Sequence, residues 1–265
     1  MLIVSATDIH FDHAKKRDPE KTDQDLVGEL LAGFSPELPV VITGDLTIAP
    51  MLPECLEAFG KTGRQVHFVL GNHDFWASSF GKTRESVVPL LERYPNLHYP
   101  TLQGSKVVGD WTILGHDGWY DHCFSGASGF MYCKRYIEDF LMTSWNPDMY
   151  IRQLNQLGAD SARAVQDQLG SLDPGPQKIL VLTHVPPWRG LAMVDDLPQF
   201  YVNRHMGVFL EDWAKVHPDH QITVLCGHSH MGLGEFVQIS ANLRARCGQA
   251  VYKFPQAGEL NLSLQ

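Results

Sequence analysis

The chain is poor in paired cysteines, in basic charge and in long apolar runs. Its five cysteines, Cys55, Cys123, Cys133, Cys226 and Cys247, are odd in number and contain no C-x-x-C pair. Their scatter and odd number argue against a disulfide framework, and reduced structural thiols are expected. Basic residues number 21 against 30 acidic ones, a formal charge of −9. That balance argues against a broad nucleic-acid footprint and so against nucleic acid as a partner. No apolar stretch reaches membrane-spanning length, which argues against a membrane partner. The first apolar run begins at Leu2 with no basic leader before it, so a cytoplasmic location is expected. Repeats, low-complexity tracts and convincing linkers are missing as well. One domain over residues 1–265 is therefore expected, long enough for a sizeable core.

What is present is a set of five short polar motifs, each behind an apolar run rich in β-branched residues. Leu2-Ile3-Val4 leads to Asp8-Ile9-His10, and Val40-Val41-Ile42 leads to Gly44-Asp45. Val66 through Leu70 leads to Gly71-Asn72-His73-Asp74. Ile179 through Leu182 leads to Thr183-His184, and Ile222 through Leu225 leads to Gly227-His228-Ser229-His230. Such runs read as buried strands, so the polar groups fall at strand carboxyl ends, where open α/β sheets form ligand crevices. Side chains two apart on a strand share a face, which would let Asp8 and His10 reach one ion. Gly44, Gly71 and Gly227 suit tight strand exits and close backbone approach.

Helical spacing appears over Asp25 to Phe34, Met51 to Phe59 and Ser86 to Tyr94, and a long amphipathic helix over Tyr150 to Leu169. Alternation of strands and helices favours a layered α/β domain. Trp111 to Leu114 reads as a further strand, opening into Gly115-His116-Asp117-Gly118-Trp119-Tyr120. Residues 121–148 break the pattern with glycines, aromatics (Phe124, Phe130, Tyr132, Tyr136) and Lys134-Arg135, and read as an insertion or lid. After His230, three segments (235–239, 243–246 and 251–254) read as a β-meander closing the fold.

The motif residues offer carboxylate, amide and imidazole ligands without a thiolate. That set suits borderline ions such as Mn, Fe, Zn or Ni. A carboxylate such as Asp45 can bridge two ions. Two ions about 3.5–4 Å apart can share a hydroxide and clamp both oxygens of an in-line displacement at phosphorus.

In this order the motifs make the chain resemble the calcineurin-like metallophosphoesterase superfamily, whose pattern is D-x-H, G-D, G-N-H-[DE], a lone H and G-H-x-H. The resemblance spans residues 2 to about 257, and Thr183-His184-Val185-Pro186-Pro187 resembles a bacterial subgroup. It implies a four-layer sandwich, a central two-sheet β-sandwich flanked by helices, with metals at the strand ends. It also implies two divalent or trivalent ions, one held by Asp8, His10, Asp45 and His230, the other by Asp45, Asn72, His184 and His228. His73 is then the proton donor or leaving-group stabiliser, oriented by Asp74. The implied activity is hydrolysis of phosphomonoesters or phosphodiesters by in-line attack, on a small phosphate-ester substrate. One departure stands out: Gly44-Asp45-Leu46-Thr47-Ile48 lacks the second polar residue of G-D-x-x-[DN].

Further residues are weaker candidates for substrate contact. His116 and Trp119 follow an expected strand, Arg189 lies five residues after His184, and Arg135 lies in the expected lid; arginine's fork suits phosphate. Lys15-Lys16-Arg17 reads as a solvated loop. The rival from another class is a catalytically silent metal-binding scaffold on the same fold, which typically loses ligands or the histidine that this chain keeps. Within enzymes, a protein phosphatase or a nuclease is the alternative.

Overall fold

The apolar runs that precede the motifs are buried parallel strands whose carboxyl ends lie level. In the computed structural model, residues 1–123, 147–175, 177–194 and 198–263 are described. A first sheet contains β1 (Leu2–Ala6), β2 (Val40–Thr43), β3 (Val66–Val69) and β4 (Leu97–His98), all parallel. The registers Ala6↔Ile42 and Thr43↔Val69 align the exits of its first three strands. A second sheet contains β5 (Lys106–Val108), β6 (Trp111–Gly115), β7 (Lys178–Leu182), β8 (Gln221–Cys226), β9 (Val237–Ser240) and β10 (Leu243–Cys247). Its order is β5-β6-β7-β8-β10-β9, with β6, β7, β8 and β10 parallel and the two edges antiparallel. Leu182 pairs with both Gly115 and Leu225, so these exits are level too. The last strand, β11 (Ala257–Asn261), returns to the first sheet and pairs antiparallel with β1.

Alternate side chains on these strands enter two different cores, which explains why the runs are apolar without a polar alternation. Ile3, Val41 and Val69 meet Ile113, Leu180, Leu182 and Leu225 between the sheets. Val4, Val40, Ile42 and Phe68 turn outward against α2 (Asp23–Leu30), α3 (Leu52–Gly60) and α4 (Phe80–Arg93). Ile179, Val181, Ile222 and Val224 turn outward against α6 (Pro147–Gly170) and α8 (Arg204–Val216). Shorter helices are α1 (Phe11–Arg17), α5 (Pro100–Gln103) and α7 (Arg189–Ala192). The result is the expected α/β sandwich of helices, sheet, sheet and helices. Each fully buried Leu, Ile, Val or Phe contributes about 1.5–3 kcal/mol.

Three expectations are corrected. Lys15-Lys16-Arg17 is not a loop: it is the last turn of α1, with Lys15 on Asp23 at 2.5 Å, Lys16 on Asp12 at 3.2 Å and Arg17 on Asp18 at 2.6 Å. The closing meander is not continuous. β10 lies between β8 and β9, the 251–254 segment is a turn with one isolated bridge, and the chain then crosses to the other sheet. The helix expected at Ser86 starts at Phe80, capped by the Ser79 hydroxyl. Most of the expected lid, residues 124–146, lies outside the described residues, and so do Arg135 and the four lid aromatics.

Candidate metal centre

The five motifs converge at one end of the two sheets. Asp8 and His10 were expected to share a face by strand alternation, but β1 has already ended at Ala6. They are brought together instead by left-handed backbone at both residues, with φ of 49° and 42°. Asp45, His228 and His230 are left-handed as well, at 52°, 72° and 57°. This region is uncommon for residues other than glycine, although Asp and His enter it more readily than most. Strained backbone persists where the surroundings over-determine it, and it gathers at functional sites. Here the loops are stitched to one another: Asp8 N donates to Gly44 O at 3.0 Å, His10 N to Asp45 O at 3.0 Å, and Gly227 N to His184 O at 2.8 Å. Close approach also demands glycine at two positions. A Cβ on Gly71 would collide with Asp45 Oδ1, and one on Gly227 with Thr7 Oγ1 and Asp8 Oδ2.

One ligating atom from each of Asp8, His10, Asp45 and His230 lies within 4.8 Å of the others. His10 Nε2 is 3.0 Å from His230 Nε2 and 3.7 Å from Asp45 Oδ2, and His230 Nε2 is 3.3 Å from Asp8 Oδ1. The other Asp45 oxygen, Oδ1, faces the opposite way, 3.4 Å from His184 Nε2. That nitrogen is 3.0 Å from Asn72 Oδ1, and the His228 ring centroid is 5.0 Å from that of His184. Asp45 thus stands between two groups of donors.

The electrostatics fit a cation. Burial drives His10 and His228 down to about 3 and lowers His184 too. These imidazoles are neutral near pH 7 and keep a lone pair. Burial opposes ionisation of Asp8, but the His230 contact and the surrounding imidazoles outweigh it and hold the carboxyl well below its usual range. His184 Nδ1 donates to Thr43 O at 2.8 Å and His228 Nε2 to Phe200 O at 2.7 Å. Metal-binding histidines use such carbonyls to fix ring orientation and tautomer. The donor set of carboxylate, amide and neutral imidazole suits divalent or trivalent first-row ions.

His73 adjoins this cluster. Its Nε2 is 3.9 Å from Asp45 Oδ2, its ring stacks on Trp76 at 3.5 Å between centroids, and it meets His10 edge-on at 4.5 Å. Burial and the His10 and His184 rings lower its pKa well below the usual value. The expected orienting contact from Asp74 is not a hydrogen bond to this ring. Asp74 accepts from Gly71 N at 2.8 Å and Thr47 N at 2.9 Å, while the buried His73 Nδ1 has no hydrogen-bond partner among the described residues. Asp74 therefore shapes the loop that carries Asn72 and His73. Burial pushes its carboxyl up to about 7 despite those amide bonds. Thr47, one residue before the Ile48 at which the family pattern departs, supplies only its backbone amide, so the contact needs no particular side chain.

Of the remaining candidates, the three among the described residues do not join the cluster. Trp119 is 3% exposed and packs on Phe75 and Phe80, a core position rather than a pocket wall. His116 accepts from Gly118 N at 3.1 Å and is folded into its own loop. Arg189 is exposed at the first position of α7.

Sequence reasoning passed over two features. Asp117, named only as a neighbour of His116, is a buried hub. Its carboxylate accepts from Leu70 N at 2.9 Å, Tyr99 Oη at 2.7 Å and Arg84 Nη2 at 2.9 Å, and its carbonyl accepts from His184 N at 2.9 Å. It ties together the loops that carry Asn72 and His184. The available signal was an acid at a strand exit, with no spacing to mark it. Tyr252, 44% exposed, lies over the rings of His230, His10 and His13 at 4.4, 4.7 and 4.8 Å. Its position in a late turn gave no signal at all.

The calcineurin-like phosphoesterase family profile matches residues 1–232. The chain belongs to the calcineurin-like phosphoesterase family, whose members hydrolyse phosphate esters with the help of metal ions. Two crystal structures share the fold. One is 12% identical with a TM-score of 0.55, covering 94% of this chain and 90% of the other. The second, a Thermus thermophilus protein designated TT1561, is 10% identical with a TM-score of 0.54, covering 94% of this chain and 89% of the other. No curated protein matches the sequence significantly. Among the described residues, no helix is long and apolar enough to cross a membrane.

Proposed function

We propose that the protein is a dinuclear metal-dependent phosphohydrolase acting on a small phosphomonoester or phosphodiester. The observation that carries this reading is the placement of Asp45, with one oxygen toward His10 and the other toward His184. Asp8, His10, Asp45 and His230 would hold one ion, and Asp45, Asn72, His184 and His228 the other. His10 and His230 would ligate through Nε2, His184 through Nε2, and His228 through the Nδ1 that its Phe200 bond leaves over. The ions, when bound, supply Lewis acidity that activates water near neutral pH and neutralises phosphoryl oxygens.

The chain's own groups do the rest. His73, clamped between Trp76 and His10, assists departure of the alcohol through an imidazole N–H. Asp74 and Asp117 hold the Asn72, His73 and His184 loops in register. Tyr252 covers the His10 and His230 side and sits where a substrate's organic group would enter. The test combines elemental analysis with turnover of nitrophenyl phosphate and bis-nitrophenyl phosphate. Two metal equivalents with metal-dependent turnover are expected, and Asp45→Ala and Asn72→Ala should lower metal content and activity together. Full metal content in either variant would refute the ligand assignment.

A further inference from the structure

A second cluster of ligating side chains shares no residue with the Asp45 centre. Asp121 and Cys123 follow the exit of β6, and His205 opens α8. One carboxylate oxygen, the thiol sulfur and one ring nitrogen of this trio all lie within 4.8 Å of one another. Cys123 Sγ is 3.9 Å from His205 Nε2, across 82 residues of sequence. From this juxtaposition we propose a separate mononuclear site for a borderline-soft divalent cation, Zn²⁺ or Co²⁺, held by Asp121, Cys123 and His205 with a fourth position open to solvent.

The three groups are held in place before any cation arrives. Asp121 Oδ1 accepts from Cys123 N at 3.0 Å and Oδ2 from His205 N at 3.0 Å, so one carboxylate fixes the backbones of both other ligands. Each of its oxygens keeps a further lone pair for a cation. Asp121 is buried and its own amide bonds to Val202 O at 3.2 Å. Cys123 and His205 line a surface hollow with Arg204, Val208 and Phe209, which leaves room for a water as fourth ligand. A carboxylate and a thiolate together cancel the charge of a divalent ion, so Arg204 on the rim meets a neutral complex. The single thiolate sets this site apart from the oxygen-and-imidazole set around Asp45 and favours a softer ion.

Burial, with Asp121 beside it, pushes the Cys123 thiol up to about 12. Metal binding therefore releases the thiol proton to solvent, and affinity should rise with pH by about tenfold per unit. Cobalt reports the site directly, because a thiolate ligand gives a sulfur-to-cobalt charge-transfer band in the near ultraviolet and the Asp45 centre has no thiolate to give one. The full-length protein, stripped by chelator and titrated with Co²⁺, should develop that band. Cys123→Ser should abolish it while leaving the visible ligand-field bands of the other centre, and His205→Gln should weaken Co²⁺ binding by more than about tenfold. In wild-type protein, Zn²⁺ but not Mg²⁺ should slow alkylation of Cys123, read by peptide mass mapping. Absence of the band, its persistence in Cys123→Ser, or equal alkylation rates with both ions would overturn the proposal.

Discussion

Replacing His230 by glycine rather than alanine separates the backbone from the imidazole. Both substitutions remove the same ring and its contacts with Asp8, His10 and Tyr252. They differ in what φ of 57° demands of the new residue. Left-handed backbone costs an L-residue about 1–2 kcal/mol. Glycine avoids that cost but loses about 0.4–1 kcal/mol more conformational entropy from the unfolded chain. His230→Gly should therefore be more stable than His230→Ala by about 0.5–1 kcal/mol, or about 1–3 °C in Tm for a chain of this size. Urea midpoints in the presence of chelator measure the difference without metal binding. Both variants should also lose one site's share of the stabilisation that Mn²⁺ gives the wild type, which mass action sets at about 2.7 kcal/mol when ion exceeds Kd a hundredfold. Equal stability, or a more stable alanine variant, would mean that the loop relaxes without strain. Five ligand positions share this backbone, so at about 1 kcal/mol each the strain is a sizeable part of a typical stability of about 5–15 kcal/mol.

Three further outcomes are expected. His73→Ala should lower kcat by about 10²–10⁴ for an alkyl ester and much less for a nitrophenyl ester, at unchanged metal content; equal losses would remove its role at the leaving group. Asp117→Ala should cost about 3–5 kcal/mol in urea denaturation, because it leaves the Arg84 guanidinium without its buried carboxylate. Burial holds His67 at about 3 and His98 at about 4, with their Nδ1 atoms 3.0 Å apart. The unfolded chain, with histidines near 6.5, binds more protons between those values. Stability is thus full above about pH 6.5 and falls as pH drops toward 4, by up to about 1.4 kcal/mol per unit for each ring. His67→Gln should lose about 2 kcal/mol less than the wild type between pH 7 and pH 5; identical losses would show that the ring is not buried neutral.

How much of the molecule the sequence revealed depended on whether a residue's role was local. The strands before Asp8, Asp45, Asn72, His184 and His228 were legible because both faces are buried and the runs are uniformly apolar. β11 was not, since Ala257–Asn261 is half exposed and its partner β1 is more than 250 residues away in sequence. α1 was hidden because His10, its left-handed N-cap, makes no side-chain capping bond, and because its last turn is basic. The ligand residues fell at recognisable spacings, but the reason Asp8 and His10 meet did not, as φ cannot be read from two strand-like positions. Trp119 looked like a pocket residue from its neighbours in sequence, yet the space beside Phe75 and Phe80 claims it. Asp74 and Asp117 act through backbone amides of other loops, and such partners leave no pattern in the chain.

The most direct test is an anomalous-scattering map of the metal-loaded crystal. Two peaks about 3.5–4 Å apart, one on each side of the Asp45 carboxylate with His10 and His230 on one ion and His184 and His228 on the other, are the predicted result. A single peak, or a pair that Asp45 does not touch, would contradict the account.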